Sequence, residues 1–99
     1  MSNAKIKAII KRPDEKYGHM TNISNTLENL QRTVEGYIAT VTLGDVVLIV
    51  NDEGLINGSH FNCTVAGIDL FGTIIVAGVD GEEFGDVPIS LKEWKDLIE

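Results

Sequence analysis

The sequence predicts an α+β domain, a mostly antiparallel sheet of about five strands with two helices in the order strand, helix, strands, helix. Three observations predict it. An opening segment alternates with period two, a later one repeats its leucines at helical spacing, and the middle of the chain is a series of short β-branched runs punctuated by glycine and aspartate. The connections between these runs are too short for parallel crossovers, apart from the one between the first strand and the hairpin, so an all-parallel sheet is not expected.

From Lys5 to Lys11 the residues Ile6, Ala8 and Ile10 alternate with Lys5, Lys7, Ile9 and Lys11, the pattern of a half-buried strand with one basic face. The lysines suggest a solvated edge strand, and Arg12-Pro13-Asp14 ends it. Residues 14–22 show no period and read as a loop. The next stretch sets Leu27, Leu30 and Val34 three and four residues apart, which predicts an amphipathic helix over 25–35. Asn25 or Ser24 is expected to cap it, with Glu28 completing a capping box and Gly36 supplying the left-handed stop.

YIATVTL and VVLIV then flank Gly44-Asp45, a two-residue connection suited to a type II′ hairpin. Val46 to Val50 are apolar without interruption, so that strand should lie centrally with both faces covered. Residues 51–54 read as a turn, and Leu55-Ile56 as a short extension before a turn at Asn57-Gly58. Strands are expected over 61–66 and 72–79, followed by an acidic loop holding Glu82, Glu83 and Asp86. Pro88-Ile89-Ser90 opens a final helix, in which Ser90 and Glu93 form a capping box and Ile89 and Trp94 a hydrophobic staple. Leu91, Trp94, Leu97 and Ile98 supply its packing face, and both helices are expected on one side of the sheet.

Ninety-nine residues leave room for one domain, 1–99. Apolar residues at 43% and charged residues at 23% describe an ordinary globular chain, not a disordered one. No apolar run reaches the roughly 20 residues that span a bilayer, and the start MSNAKIKAIIKRP lacks the pattern of a secretory signal, so a cytoplasmic protein without membrane partners is expected. The net charge of −7 is uneven: residues 1–35 carry six Lys/Arg against four acids, and residues 36–99 two against eleven. That balance disfavours generic nucleic-acid binding outside the basic N-terminal strip.

Catalytic and metal constellations are not legible. His19 and His60 lack further ligands at recognisable spacing, and the loop from Asp80 to Asp86 departs from an EF-hand by placing Phe84 at its fifth position. His60 and Cys63 are the one pairing with nucleophile chemistry, but on a strand a spacing of three puts them on opposite faces, and Cys63 reads as a buried structural thiol. The glycines form neither GxGxxG nor a phosphate-binding loop, which excludes a P-loop nucleotide hydrolase. No enzyme, cofactor or metal is therefore expected.

Lys5-Ile6-Lys7-Ala8-Ile9-Ile10-Lys11-Arg12-Pro13, Tyr17-Gly18-His19, the LENLQ run at 27–31, Gly36-Tyr37-Ile38, and the segment from Val79-Asp80-Gly81 to Pro88-Ile89-Ser90 together resemble the domain of unknown function 3846 family, small proteins carried by phages and mobile elements. The resemblance covers Lys5 to Trp94 and brings no catalytic residues. Where members of that family commonly have a Leu-Pro pair, Asn57-Gly58-Ser59-His60-Phe61 stands here. The resemblance implies a setting in which small acidic proteins bind and disable host defence components.

The expected function is thus a non-enzymatic binding protein that inhibits a host defence system by binding a host protein or a nucleotide-derived small molecule. The candidate contacts are Tyr17, His19, His60 and Phe61, because aromatic and imidazole side chains in loops serve recognition, and Lys5, Lys7, Lys11 and Arg12 as a phosphate-facing strip. The alternative is a self-associating accessory protein, a homo-oligomer paired through an uncovered apolar strand such as VVLIV or TIIVA.

Overall fold

The computed structural model describes residues 4–54 and 58–99; the short strand expected at Leu55-Ile56 and the turn at Asn57 lie outside them. The chain runs β1 (Lys5–Lys11), β2 (His19–Ser24), α1 (Leu27–Val34), β3 (Ile38–Leu43), β4 (Val46–Asn51), β5 (Phe61–Val65), β6 (Ile68–Phe71), β7 (Ile74–Asp80), β8 (Glu83–Gly85), α2 (Leu91–Leu97). The main sheet has the order β2-β1-β7-β4-β3, with β8 on the far end of β7, and β5-β6 form a separate hairpin. Each of these pairings is antiparallel. The α+β class with two helices and a mostly antiparallel sheet is therefore what the chain adopts. Among the described residues no helix is long and apolar enough to cross a membrane.

The helices do not share a face. In β4, Val46 and Leu48 join one buried cluster with Cys63, Val65, Leu70 and Trp94, while Val47 and Ile49 join another with Leu30 and Val34. In β7, Ile74 and Val76 belong to the first cluster and Ile75 and Ala77 to the second. A strand alternates its side chains, so a strand apolar at every position needs a cover on each side. α1 covers one face; α2 and the β5-β6 hairpin cover the other.

Local signals explain most boundaries. Gly44 has φ 63° while Asp45 does not have positive φ, as a type II′ hairpin requires, and six uninterrupted pairs follow between β3 and β4. The Ser90–Glu93 capping box forms, and Ile89 packs against the cluster containing Trp94. α1 is capped differently from expectation. Thr26 is its N-cap, accepting from the Asn29 amide at 3.2 Å, because the Asn25 side chain is engaged by the Phe84 carbonyl at 3.0 Å. Its left-handed stop is Glu35 at φ 62°, not Gly36. Gly36 is needed for space, since a Cβ there would meet the Asn51 side-chain amide that donates to the Val34 and Glu35 carbonyls.

Three other expectations change. Residues 19–22 are strand, not loop, held to β1 in the register Ile10↔His19 to Lys5↔Ser24. β1 is interior, between β2 and β7, so the basic strip is not on an edge. β6 had no sequence signal: its turn is Ala66-Gly67, both at positive φ (50° and 78°), a geometry that type I′ turns usually give to asparagine and glycine. An alanine held there carries a left-handed penalty of about 1–2 kcal/mol. Replacing Ala66 with Asn should therefore raise the unfolding free energy by about 0.5–1 kcal/mol in urea titration, whereas a loss of stability would contradict the turn geometry.

Candidate functional site

A groove of about 570 Å³ lies at the end of β1, lined by Arg12, Asp14, Arg32, Thr33, Glu35 and His60, among others. Arg12 and Thr33 also line an adjoining depression of about 400 Å³ that runs along β2 past His19, Thr21 and Asn22 to Asn29. The two make one surface between the β1–β2 connection, the polar flank of α1 and the loops carrying His60 and Thr73.

The residues reach this place for local reasons. Gly18, at φ 88°, turns the chain back so closely that a Cβ would collide with the Ile10 carbonyl, and this returns His19 beside β1. Glu15 then fixes the groove's rim: it accepts from the Arg12 amide at 2.9 Å and meets His19 Nδ1 at 2.9 Å and the Arg12 guanidinium at 3.7 Å. Burial pushes the Glu15 carboxyl up, but the Arg12 amide, the His19 contact and the Arg12 charge outweigh it and hold the carboxyl below its ordinary value of 4.5. On α1, Asn29 and Thr33 lie four residues apart and so share a face, next to the buried stripe of Leu30 and Val34. Arg32 pairs with Glu28 at 3.2 Å in a solvated ion pair that a ligand can displace at little cost.

Chemically the groove offers two guanidinium groups, an imidazole, the hydroxyls of Thr33 and Thr73, and the carboxylates of Asp14 and Glu35. That is a set of donors and acceptors for a polar ligand with both anionic and amine-bearing parts. Among the described residues no group of three or more His, Cys, Asp and Glu is placed to hold a metal ion. Cys63 is buried; burial pushes its thiol up, with the Lys11 charge pulling the other way, so it is not an activated thiolate.

The structure brings together three of the eight residues singled out in the sequence: Arg12, His19 and His60. Tyr17 lies elsewhere, its carbonyl accepting from Trp94 Nε1 at 2.9 Å and its ring beneath Lys16 and Lys95. Phe61 is half exposed on the β5-β6 hairpin, edge-to-face with Phe71 at 5.6 Å. Lys5 and Lys7 are exposed at the opposite end of β1. Lys11 is a correction. It is only 2% exposed, with Nζ donating to Asn62 Oδ1 at 2.6 Å, and it presents no surface to a partner. Asn62 in turn donates to the Lys11 and Gly72 carbonyls at 2.8 Å each. Sequence reasoning missed Arg32, Thr33 and Thr73; the polar spacing of Asn29 and Thr33 beside an apolar stripe was the available signal.

Two outcomes check these assignments. Asn62→Ala leaves an ammonium and two carbonyls without this partner and should lower stability by about 2–4 kcal/mol in urea titration. Lys11→Met should cost less, because it orphans only the Asn62 oxygen; the reverse order would contradict a structural role. For Glu15, a depressed carboxyl stabilises the fold above the ordinary value and loses that contribution as pH falls through the folded-state value. The stability difference between the wild type and Glu15→Gln should thus be present at pH 7 and shrink as pH drops below 4.5, measured by thermal unfolding at each pH.

No curated protein and no solved structure significantly matches this chain. The family model described as a domain of unknown function (DUF3846) matches residues 6–99, essentially its full length. The groove around Arg12 therefore sits in a protein that belongs to the DUF3846 family.

Proposed function

We propose that this protein is a non-enzymatic, cytoplasmic binding protein of a phage or mobile element that inhibits a host defence system by sequestering a nucleotide-derived ligand in the groove around Arg12. The observation that carries the reading is the groove's composition and size. Its volume of about 570 Å³ falls within the range of small-molecule sites, and Arg12 and Arg32 stand on the same wall system as Asp14 and Glu35. Guanidinium groups suit phosphate oxygens, and carboxylates suit the amino groups of a purine or cytosine base.

One further fact supports binding over turnover: Cys63, the one cysteine of the chain, is buried on the other side of the sheet from α1. The mobile-element setting and the defence target rest on the sequence resemblance and on the chain's small size and acidity. The choice of a small ligand over a host protein rests on the groove being concave and lined mostly by charged, hydroxyl and imidazole side chains, where a protein-docking face centres on apolar anchors.

Calorimetric titration with a panel of adenine and guanine mono-, di- and cyclic nucleotides tests this directly. At least one should bind and be recovered unchanged, and Arg12→Ala should weaken it about tenfold or more, the loss expected of one charge-assisted hydrogen bond. Conversion of the nucleotide, or binding indifferent to both Arg12→Ala and Arg32→Ala, would contradict the proposal.

A further inference from the structure

The strands whose apolar sequences suggested self-pairing, VVLIV and TIIVA, fall in β4 and β7, and both are interior, so neither offers an edge to a second copy. β2 is an open edge of the main sheet, and a depression runs along it. This depression, of about 400 Å³, meets the groove of about 570 Å³ at two residues that line both, Arg12 and Thr33. Each volume by itself falls within the range of a small-molecule site.

The two hollows differ in chemistry. The groove sets Arg32, Asp14 and Glu35 beside Arg12. Among the described residues that line the β2 depression there is no carboxylate, and the only ionisable groups are Arg12 and His19. Ile23 packs on the α1 side of the sheet, and Thr21 and His19 share its strand parity, so they face α1 across the depression from Asn29 and Thr33. Two of these groups are held in place by the protein itself. The Asn29 side-chain amide donates to the Ser24 carbonyl at 3.0 Å, which leaves its Oδ1 as an acceptor. His19 Nδ1 meets the Glu15 carboxylate at 2.9 Å, which leaves Nε2 as the ring nitrogen for a ligand. Amide, imidazole and hydroxyl groups without a carboxylate suit the edge of an uncharged base and the hydroxyls of its sugar. Arg12, the one charged group that the two hollows share, suits a phosphate oxygen.

We propose that the ligand is a pair of nucleosides joined through phosphate, with the linkage at Arg12, one nucleoside in the groove and the other in the β2 depression; this rests on the groove being a nucleotide site. A mononucleotide with its phosphate at Arg12 fills one hollow and leaves the other to water, whichever way round it lies. A second nucleoside carried on the same phosphate binds intramolecularly, at an effective concentration on the order of millimolar. The charges along the surface agree with this. No carboxylate among the described residues lining the β2 depression opposes the linkage, and the loose, solvated contact between Arg12 and Glu15 at 3.7 Å gives way to it at little cost.

Calorimetric titration of the wild type with adenosine and guanosine monophosphates, linear diadenylate and diguanylate, their cyclic counterparts and diadenosine pyrophosphate tests this and separates the linkages. At least one two-base ligand should bind at one per chain, about a hundredfold or more tighter than the matching monophosphate. Thr21→Trp, which fills the β2 depression from the sheet edge, should abolish that difference. His19→Ala, a truncation at an exposed position, should reduce it about tenfold, the loss of one hydrogen bond to the second base. Both are read as the ratio of the two affinities within one variant, which a general loss of stability does not imitate. A monophosphate that binds through Arg12 with no two-base ligand exceeding it overturns this inference and leaves the groove a nucleotide site, whereas no binding by any of these compounds overturns both. An advantage that survives Thr21→Trp and His19→Ala alike also overturns it.

Discussion

The structure depends on the burial of β4 and β7 on both faces. Ile49, Ile75, Ala77 and Val47 point one way, Leu48, Val46, Ile74 and Val76 the other, and none of these eight is more than 5% exposed. Each aliphatic side chain removed from water contributes about 1.5–3 kcal/mol, so neither face can stay open. The chain supplies two covers with different means: an eight-residue amphipathic helix on one side, and a hairpin with a seven-residue helix on the other. Everything else, including the place of the groove, follows from where those covers begin and end.

The covers are positioned by side-chain polar groups more than by area. The Asn51 amide holds the C-terminal carbonyls of α1 and keeps Gly36 free of a side chain. On the other face, the Trp94 indole ties α2 to the Tyr17 carbonyl, and Asn62 ties the hairpin to Lys11 and Gly72. A buried lysine held by a neutral amide is an expensive way to join two layers, tolerated because all of its partners are satisfied; among the described residues no buried side-chain polar atom lacks one. β1 changes character along its length as a result, from exposed lysines at Lys5 and Lys7 to full burial from Ala8 to Lys11. The groove opens where β1 ends and the next residue, Arg12, returns to solvent.

Much of this was legible in the sequence, and the reasons for the rest are physical. Period two over residues 5–11, the glycine-led hairpin at 44–45 and the Ser90–Glu93 box are local signals, and each produced its element. β2 and β6 were hidden because HMTNIS has no clear alternation and because Ala66 disguises a turn. Lys11 misled because a pattern of alternation reveals which residues share a face but not what lies above that face; the partner, Asn62, is 51 positions away. The site was half visible for the same reason. Arg12, His19 and His60 carried chemistry that a sequence can display, whereas Arg32, Thr33 and Thr73 became site residues only when α1 and the β6–β7 turn were set beside them.

Native-state hydrogen exchange followed by NMR tests the two-faced sheet most directly. Amides of β4 and β7 should exchange only through global unfolding, with the largest free energies in the molecule, while β2 and the two covers open at lower cost. Exchange of β4 or β7 as fast as that of β2 would contradict the account, because it would mean that one face of the central pair is not held shut.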